Sequence, residues 1–416
     1  MQKIHLVNIN ENIFVYNNFY YKRVSTEELK RIIAKECRED YEEAGNARYL
    51  NNVIEALIAE EKLVITEKDV PCHIISFENG ILDLKTRQLL PHSPRYIITY
   101  GIQCSYMDGQ CPNFEQFIYT AMGGNAGLIE RALQMIGYIL SPDMNGKVFF
   151  VLQGCPHSGK SLLSELLRLF FNKEAAISLD VHELIERFSV SNLEGKTLWI
   201  SPDLPSTSLD AKAVSKLKQL TGNDYISADV KYQNRKEFFC HAKFVLSTNH
   251  PFVTRQPDEA FMERIVAIPF LYSVPKEYQD HNLLEKMKAE MGAIAFKAIQ
   301  AYCRLVGNKY QFAGNYQLNS APVLYQQGSE NMTDLSTATY SFMMSCFEED
   351  KQGIVFIEDA HKAFMQQYCI TVADTIFSRH FTDAAQQTFH VSKGRKRKSS
   401  GQNAQSCILG IRFKQE

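Results

Sequence analysis

The chain has 416 residues, of which 45% are hydrophobic and 22% are charged, and its formal net charge is −2. This length predicts about two to four folded units. The composition is typical of globular proteins and excludes wholesale disorder or a fibrous structure. A net charge near zero also excludes a uniformly basic protein that coats nucleic acid, so a polyanion would have to bind at a local basic patch.

The ten cysteines are scattered and include no CxxC pair, which favours buried, reduced thiols. Cys104, Cys111, Cys240 and His241 would be the candidates for zinc ligation, but their spacing fits no common zinc site. The amino-terminal stretch lacks the core of a signal peptide, and no run of 18 apolar residues occurs in the sequence. We therefore expect a cytoplasmic protein that does not associate with a membrane.

Residues 1–110 mix aromatic and β-branched runs with helical stretches, which predicts a small α+β domain. Ser25 or Thr26, followed by acidic residues, indicates the start of a helix. Asn79-Gly80 lies between two apolar runs and predicts a two-residue hairpin turn. Apolar residues at helical spacing then predict a helical connector, or collar, over 111–145.

The region 146–310 alternates between strand-like and helix-like segments. Its four apolar runs VFFVLQ, TLWIS, KFVLS and IVAIPF predict buried strands of a mostly parallel sheet. An apolar stripe over 283–306 predicts an amphipathic helix that packs on this domain or bridges to the next. We therefore predict the α/β fold class for the centre of the chain.

The region 330–416 has the order helix, short strand GIVFI, two helices and two β runs, which predicts a winged helix-turn-helix. A basic stretch separates the two β runs. A flexible wing that contacts a DNA backbone is one interpretation of this stretch, and a solvated surface loop is the other. The cations of the stretch are Lys393, Arg395, Lys396, Arg397 and Lys398.

The segment GCPHSGKS, residues 154–161, matches the pattern G-x-x-x-x-G-K-[ST] between a predicted buried strand and a predicted helix. In this context the backbone N–H groups of the loop surround a triphosphate, Lys160 reaches the β and γ phosphates, and Ser161 binds Mg²⁺. We therefore predict ATP and Mg²⁺ as ligands. The residues assigned to nucleotide binding are Gly154, Ser158, Gly159, Lys160 and Ser161.

A nucleotide hydrolase also needs a carboxylate at the end of a neighbouring strand. Asp203, after TLWISP, is the acidic residue in that position, and it is the second predicted Mg²⁺ ligand. Asn249 ends the strand KFVLSTN and is predicted to hydrogen-bond the γ-phosphate or the attacking water, although an ordinary turn at Asn-His-Pro is the alternative. Arg264 precedes the fourth strand and is either an arginine finger for a neighbouring nucleotide or a solvated arginine.

Residues 226–244 contain two β-like runs around a basic turn. Cations that meet phosphates and a ring that meets a base suit a single strand of nucleic acid. The simpler alternative is a solvated hairpin tip. The candidate DNA-binding residues are Lys231, Tyr232, Arg235 and Lys236.

Taken in order, these motifs resemble those of superfamily 3 helicases, in the form found in phage, plasmid and poxvirus primase-helicases. The segments that carry the resemblance are GCPHSGKS, GKTLWISPDLP, LKQLTGNDYISADVKYQNRKEFFCHAKFVLSTNHPF and RQPDEAFMERIVAIPF, and residues 74–118 and the tail from Thr333 are similar to the flanking domains of that family. The resemblance implies an AAA+-type ATPase core that forms a ring, expected to be a hexamer, and moves along single-stranded DNA from 3′ to 5′. It assigns Asp203 to the second motif, Asn249 to the polar sensor, Arg264 to the finger, and 231–236 to the hairpin that tracks DNA.

Three features depart from the family pattern. The family usually carries Glu where Asp203 stands, and many members have paired arginines where this chain has Glu263-Arg264. The region before the ATPase is short and has no pair of acids suited to primase chemistry. We therefore expect a separate primase or polymerase to act with this protein.

The sequence thus predicts an ATP hydrolase that serves as a replicative DNA helicase of a phage or mobile element and acts on single-stranded and forked DNA in a bacterial cell. An initiator or loading factor that binds an origin without processive unwinding is the alternative. A P-loop kinase or signalling ATPase that does not bind DNA is a third hypothesis.

Overall fold

The centre of the molecule is a five-stranded parallel sheet, flanked by an amino-terminal region and a carboxy-terminal region that each have a sheet of their own. The computed structural model describes residues 4–10, 12–37, 46–66, 70–186, 189–202, 204, 209–229, 235–249, 252, 259–270, 274, 279–314, 316, 339–340, 342–344, 346–368, 374–398 and 404–414.

The strands alternate with helices through the central region. The strands are β1 Leu6–Ile9, β2 Asn12–Tyr16, β3 Tyr21–Arg23, β4 Val64–Ile65, β5 Ile74–Phe77, β6 Gly80–Asp83, β7 Gln88–Leu90, β8 Phe149–Gly154, β9 Ala176–Ser178, β10 Leu198–Ser201, β11 Tyr225–Ala228, β12 Lys236–Phe239, β13 Lys243–Thr248, β14 Ile265–Phe270, β15 Phe347–Phe356, β16 Lys393–Lys396 and β17 Gln405–Phe413. The α-helices are α1 Thr26–Cys37, α2 Ala47–Ala59, α3 Pro112–Ala121, α4 Ala126–Leu140, α5 Lys160–Leu169, α6 Ala211–Leu220, α7 Glu259–Met262, α8 Leu283–Ala289, α9 Met291–Gly307, α10 Ile357–Tyr368 and α11 Asp374–Phe389.

The central sheet has the strand order β14-β8-β13-β10-β9, and all neighbouring strands are parallel. Residues of β8 alternate between two cores, because Phe150 and Leu152 belong to one buried cluster and Phe149 and Val151 belong to the other. A strand covered on both faces reads as a continuous apolar run. The four predicted strands and the parallel sheet are therefore confirmed, while the short edge strand β9 was missed because its three residues are partly exposed and show no apolar run.

Helices α3, α4, α8 and α9 cover one face of the sheet and share its core. The apolar stripe over 283–306 forms two helices, so the prediction of one continuous helix was wrong. The break falls at Glu290, whose carboxylate accepts hydrogen bonds from the backbone N–H groups of Asn113 (3.1 Å) and Phe114 (2.9 Å). These N–H groups lie in the first turn of α3 and lack partners within the helix, so the tertiary contact satisfies them.

The amino-terminal region contains the sheet β3-β2-β1-β4 with α1 and α2 packed beside it. The predicted start of α1 is confirmed, since the Ser25 hydroxyl accepts a hydrogen bond from the N–H of Glu28 at 3.1 Å. The following meander β5-β6-β7 packs instead into the core of the central sheet. Its first turn consists of Glu78 and Asn79, one residue earlier than predicted, because Gly80 pairs with Phe77.

The carboxy-terminal region forms an antiparallel sheet β15-β17-β16 that packs against α10, α11 and helical residues between 339 and 346. Aromatic rings fill its core, with Phe342 5.2 Å from Phe347 and Phe377 5.2 Å from Phe381. The strand at GIVFI begins earlier than predicted, at Phe347. Among the described residues, the helices all lack the length and apolar character needed to cross a membrane.

A buried lysine lies at the amino-terminal end of β13. The Lys243 ammonium donates a hydrogen bond to the backbone carbonyl of Asp143, and it lies 2.8 Å from the Met144 sulfur and 4.5 Å from the centre of the Tyr138 ring. The Asp143 carboxylate accepts a hydrogen bond from the hydroxyl of Tyr302 at 2.7 Å. Burial lowers the pKa of Lys243 to about 7, and the nearby Asp143 charge offsets only part of this shift.

The lowered pKa predicts a pH-dependent effect of replacing Lys243. An unfolded lysine has a pKa of about 10.4, so between pH 7 and that value the unfolded chain binds more protons, and the contribution of Lys243 to stability rises with pH. Lys243→Met removes this contribution. We expect the stability of the variant minus that of the wild type to fall by about 2 kcal/mol between pH 7.5 and pH 9.

Urea unfolding at the two pH values measures this difference, and all other titrating groups are shared by the two proteins. Lys212→Met changes an exposed lysine of α6 and serves as the control. If the free energy of unfolding of Lys243→Met minus that of the wild type stayed constant with pH, Lys243 would be equally charged in the folded and unfolded chains.

Candidate functional site

The predicted phosphate loop connects the end of β8 to the start of α5. Gly159 occupies the residue before the helix with a φ of 100°, a backbone conformation that favours glycine, and Lys160 is the first helical residue. The first N–H groups of a helix have no partners within it and carry the positive end of the helix dipole. This end of the sheet therefore presents a site suited to an anion.

Both glycines of the motif lie against neighbouring segments. A Cβ atom on Gly154 would lie 1.9 Å from the Phe270 carbonyl oxygen of β14, and one on Gly159 would lie 2.6 Å from the Phe117 ring of α3. These distances leave no room for a side chain. The sequence pattern and the packing thus require glycine at the same two positions.

Lys160 is buried and held by the loop itself. Its ammonium donates hydrogen bonds to the backbone carbonyls of Gly154 (2.8 Å) and Cys155 (2.6 Å), and it lies 3.3 Å from the Ser158 hydroxyl. Ser158 in turn donates to the carbonyl of Cys155 at 2.6 Å. Ser161 is exposed, so its hydroxyl is accessible to a ligand.

Asn249 lies beside the loop. The pairing of Thr248 with Gln153 places Asn249, the next residue, at the level of Gly154 on the adjacent strand, about 4.8 Å away across the sheet. The side-chain oxygen Oδ1 of Asn249 is buried and has no hydrogen-bond partner among the described residues. An unpaired buried acceptor is costly, and a water or ligand donor at this position would satisfy it.

These observations fit a bound nucleoside triphosphate with Mg²⁺. The loop supplies a buried cation at Lys160, helix N–H groups and an exposed hydroxyl at Ser161, and Asn249 supplies the acceptor. Asp203, the predicted second-motif acid, lies outside the described residues. It follows β10 closely, and β10 is parallel to β13, with Ser201 paired to Leu246.

Arg264 lies at the other end of the sheet. Ile265 pairs with Phe149 and Phe270 pairs with Gly154, so Arg264 is about 20 Å from the level of Gly154 along the strand. Its guanidinium donates hydrogen bonds to the Lys218 carbonyl and the Thr221 hydroxyl at the end of α6, both at 3.1 Å. The structure therefore does not bring Arg264 to the nucleotide site of its own chain.

The predicted basic hairpin consists of β11 and β12, which pair antiparallel from Tyr225–Phe239 to Ala228–Lys236. Lys231 and Tyr232 lie outside the described residues. Arg235 is exposed and forms an ion pair with Asp229 at 3.0 Å, while Lys236 is half-buried. Both described cations thus lie on the β12 side of the turn.

The predicted wing begins at β16, which pairs with β17. Lys393 donates a hydrogen bond to the Ser378 hydroxyl of α11 at 2.8 Å, and Lys398 forms an ion pair with Asp359 at 2.6 Å. The cations Arg395, Lys396 and Arg397 are exposed, and none of them forms an ion pair with a described acidic residue. These three give the described part of β16 and its extension a net positive surface.

The packing shows two relations that the motifs did not predict. Cys155, inside the phosphate loop, belongs to the same buried cluster as Phe342 and Met343 of the carboxy-terminal region. A cleft of about 650 Å³ lies between the amino-terminal sheet and the amino-terminal ends of the central strands, away from the phosphate loop. The motif leaves position 155 unspecified, so no sequence signal was available for the first relation.

Two family profiles match separate parts of the chain. Residues 2–123 match a family described as D5 N terminal like, and residues 152–264 match a family of unknown function, DUF5906. The second match covers the phosphate loop, the hairpin and Arg264.

The chain is also similar to a protein of Acanthamoeba polyphaga mimivirus described as a candidate helicase, L207/L206. The two are 26% identical over 259 residues, which is 59% of this chain and 26% of the viral protein. The chain therefore spans about a quarter of the length of this relative. The match agrees with the resemblance to viral helicases inferred from the motifs.

Among solved structures, the chain is similar to the apo C-terminal region of NrS-1. Its A form has a TM-score of 0.49 and 11% sequence identity, with 98% of this chain and 96% of that chain covered. A second apo structure of the same region, residues 305–718, gives a TM-score of 0.47 at 11% identity and covers the same shares of the two chains.

The close approach of Gly154 to β14 predicts the effect of adding one methyl group. Gly154→Ala places a Cβ atom against the Phe270 carbonyl, so we expect the free energy of unfolding to fall by about 1–3 kcal/mol. Gly307→Ala is the matched control, because its Cβ atom would meet nothing within 4 Å. Urea unfolding compares the two variants, and equal stabilities would contradict the packing described for β8 and β14.

Proposed function

We propose that this protein is an ATP-dependent replicative DNA helicase of the superfamily 3, AAA+ type. The observation that carries the proposal is the meeting of Lys160 and Asn249 at one edge of the sheet, with the Asn249 oxygen buried and without a described partner. A buried cation for phosphate beside an acceptor for water is the arrangement that triphosphate hydrolysis requires.

The strand order supports the assignment of roles. The phosphate loop follows β8, Asn249 follows β13, and Asp203 comes after β10. In the sheet β13 lies between β8 and β10, so Asn249 lies on the strand between the other two. In this proposal Lys160 holds the β and γ phosphates, Asn249 orients the attacking water, and Ser161 and Asp203 hold Mg²⁺. Bound Mg²⁺ would supply positive charge against the charge that develops on the phosphates.

Two described surfaces support DNA as the substrate. The hairpin carries Arg235 and Lys236, and β16 and its extension carry Arg395, Lys396 and Arg397. Cations at such positions neutralise phosphates without reading sequence. The similarity to a viral candidate helicase and the D5 N terminal like profile support a role in viral or phage DNA replication.

The finer assignments follow from the resemblance of the motifs. They are translocation on single-stranded DNA from 3′ to 5′, assembly into a hexameric ring, a winged helix in the carboxy-terminal region, and cooperation with a separate primase or polymerase in the cytoplasm of an infected bacterium. The position of Arg264 supports assembly, because a finger about 20 Å from its own nucleotide site can serve only a neighbouring subunit.

An initiator or loading factor is the second candidate, and the exposed cations of β16 and its extension support it as well as they support the helicase. Arg395, Lys396 and Arg397 form no ion pair with a described acid, and such cations suit the backbone of duplex DNA as well as that of a fork. A loading factor does not need the hairpin formed by β11 and β12, whereas a translocating helicase does. Variants of the hairpin therefore distinguish the two functions.

Unwinding of forked DNA tests the proposal. With ATP and Mg²⁺, we expect the wild type to separate forks that carry a 3′ tail in preference to forks with a 5′ tail, and Lys160→Ala to separate neither. Replacing Lys231, Arg235 and Lys236 together by alanine is expected to abolish unwinding and to leave basal ATP hydrolysis near the wild-type rate, since the two described residues, Arg235 and Lys236, belong to the hairpin and not to the phosphate loop.

The same assay distinguishes the alternatives. Origin-duplex binding with intact ATP hydrolysis and no unwinding of either fork would favour the loading factor. Full unwinding by the triple hairpin variant would contradict the role of the hairpin in translocation. If single-stranded DNA did not stimulate ATP hydrolysis, the result would favour a P-loop kinase or signalling ATPase that does not bind DNA.

Mixing two inactive variants tests the role of Arg264. Lys160→Ala keeps the finger and loses phosphate binding, and Arg264→Ala keeps the phosphate loop and loses the finger. In a mixed ring, roughly one interface in four joins an intact loop to an intact finger, because a head-to-tail interface takes one element from each subunit. We expect the equimolar mixture to recover about a quarter of the wild-type ATPase rate.

Thermal unfolding of Arg264→Ala is measured in parallel, because this variant also loses two hydrogen bonds to the end of α6. An equimolar mixture as inactive as each variant alone, with both variants folded, would show that Arg264 only stabilises its own subunit.

A further inference from the structure

The hairpin of β11 and β12 has two different faces. Ile226, Ala228 and Phe238 point into the core of the central domain. Side chains alternate along a strand, so Tyr225 and Phe239, which pair with each other, point to the opposite face. This outer face is apart from the basic turn and has no part in the nucleotide site.

Three rings form a row on the outer face. The Tyr225 and Phe239 rings meet edge to face with centroids 6.0 Å apart, and the Phe239 and His241 rings are 4.8 Å apart. Burial and the neighbouring Lys243 lower the pKa of His241 to about 4, so its imidazole is neutral. The row thus consists of three uncharged aromatic rings.

Tyr225 is the exposed end of this row. It is 49% exposed, although it sits on a strand whose next residue, Ile226, is fully buried. The Phe239 ring packs against one side of the Tyr225 ring. A ring that packs on a neighbour and still faces solvent can stack on a ligand, and a tyrosine has few side-chain torsions to fix on binding.

The row continues into the cleft of about 650 Å³, which Phe239 and His241 line from the central domain. Lys22, Arg23 and Lys196 also line the cleft, together with Glu174 and Glu194. Two of these cations form ion pairs with acids of the cleft, Arg23 with Glu194 at 3.4 Å and Lys22 with Glu174 at 3.9 Å. The lining is therefore nearly neutral, and its aromatic surface distinguishes it from the basic turn.

We propose that the row formed by Tyr225, Phe239 and His241 is a base-stacking site for single-stranded DNA, with one nucleobase on the Tyr225 ring. Every base has a flat aromatic face, so stacking holds a strand without regard to sequence. The inference rests on the proposed function and adds to it a site at the base of the hairpin, where contacts are made to bases rather than to phosphates.

A DNA strand that stacks one base on Tyr225 has its phosphates near the cations of the hairpin. Arg235 and Lys236 lie on the same hairpin, and Lys236 pairs with Ala228 three residues along the strand from Tyr225. Three residues of a strand span about 10 Å, which is within reach of the phosphates that flank a stacked nucleotide. The two kinds of contact are therefore compatible on one strand of DNA.

Fluorescence anisotropy with two oligonucleotides tests the site in the full chain. One is an oligothymidylate, and the other has the same length and backbone but only abasic positions. We expect Tyr225→Ala to weaken binding of oligothymidylate about 10-fold, a typical effect of losing one stacking partner. We expect the same variant to bind the abasic strand within about two-fold of the wild type, because no base is present to stack.

Two further variants complete the test. Tyr225→Phe keeps the ring and is expected to bind oligothymidylate like the wild type. Tyr119→Ala removes another exposed tyrosine, on α3, and is expected to change neither affinity. The slope of log affinity against log salt concentration is expected to be the same for Tyr225→Ala and the wild type, because a ring releases no counterions.

Each outcome decides the proposal. Equal affinities of the wild type and Tyr225→Ala for oligothymidylate would overturn the stacking site and leave the helicase proposal intact. An equal loss on both oligonucleotides would also overturn it, since the ring would then only support the hairpin. Failure of the wild type to bind either strand would overturn both proposals together.

Discussion

The hydrogen bonding of β8 between β13 and β14 is the constraint on which the candidate nucleotide site depends. The register with β13 sets Asn249 at the level of Gly154, and the register with β14 brings the Phe270 carbonyl against Gly154. Parallel strands end at the same edge of a sheet, and ligands of open α/β sheets bind at that edge. Lys160 and Asn249 meet there because of the register, although 89 positions separate them in the sequence.

The two ends of the same sheet present different chemistry. The carboxyl ends of the strands carry the phosphate loop, while the opposite end carries Arg264, the buried Lys243 and the base of the hairpin. About 20 Å of strand separates them. In the proposed function, nucleotide binding at one end must therefore act through the central strands or through the neighbouring subunit to reach the hairpin.

The flanking regions contact the central domain at different places. Cys155 joins the phosphate loop to the apolar core of the carboxy-terminal region. The amino-terminal sheet contacts the other end through ion pairs of Lys22 and Arg23 with Glu174 and Glu194, around the cleft. An apolar contact at one end and a charged contact at the other respond differently to salt, because salt screens the attraction between partly exposed charges.

The sequence by itself determined the elements whose signal is local. The buried strands were visible as apolar runs, the start of α1 as a capping residue, and the phosphate loop as spaced glycines before a lysine. Only the tertiary structure decided relations between distant segments: the break at Glu290 that caps α3, the distance of Arg264 from the loop, the contact of Cys155, and the row that ends at Tyr225. Local patterns fix the conformation of a segment because the interactions involved lie within one turn or one strand. Strand order, register and the exposure of a ring depend on which surfaces pack together. Such packing joins segments that are distant in the sequence, so local sequence patterns do not determine it.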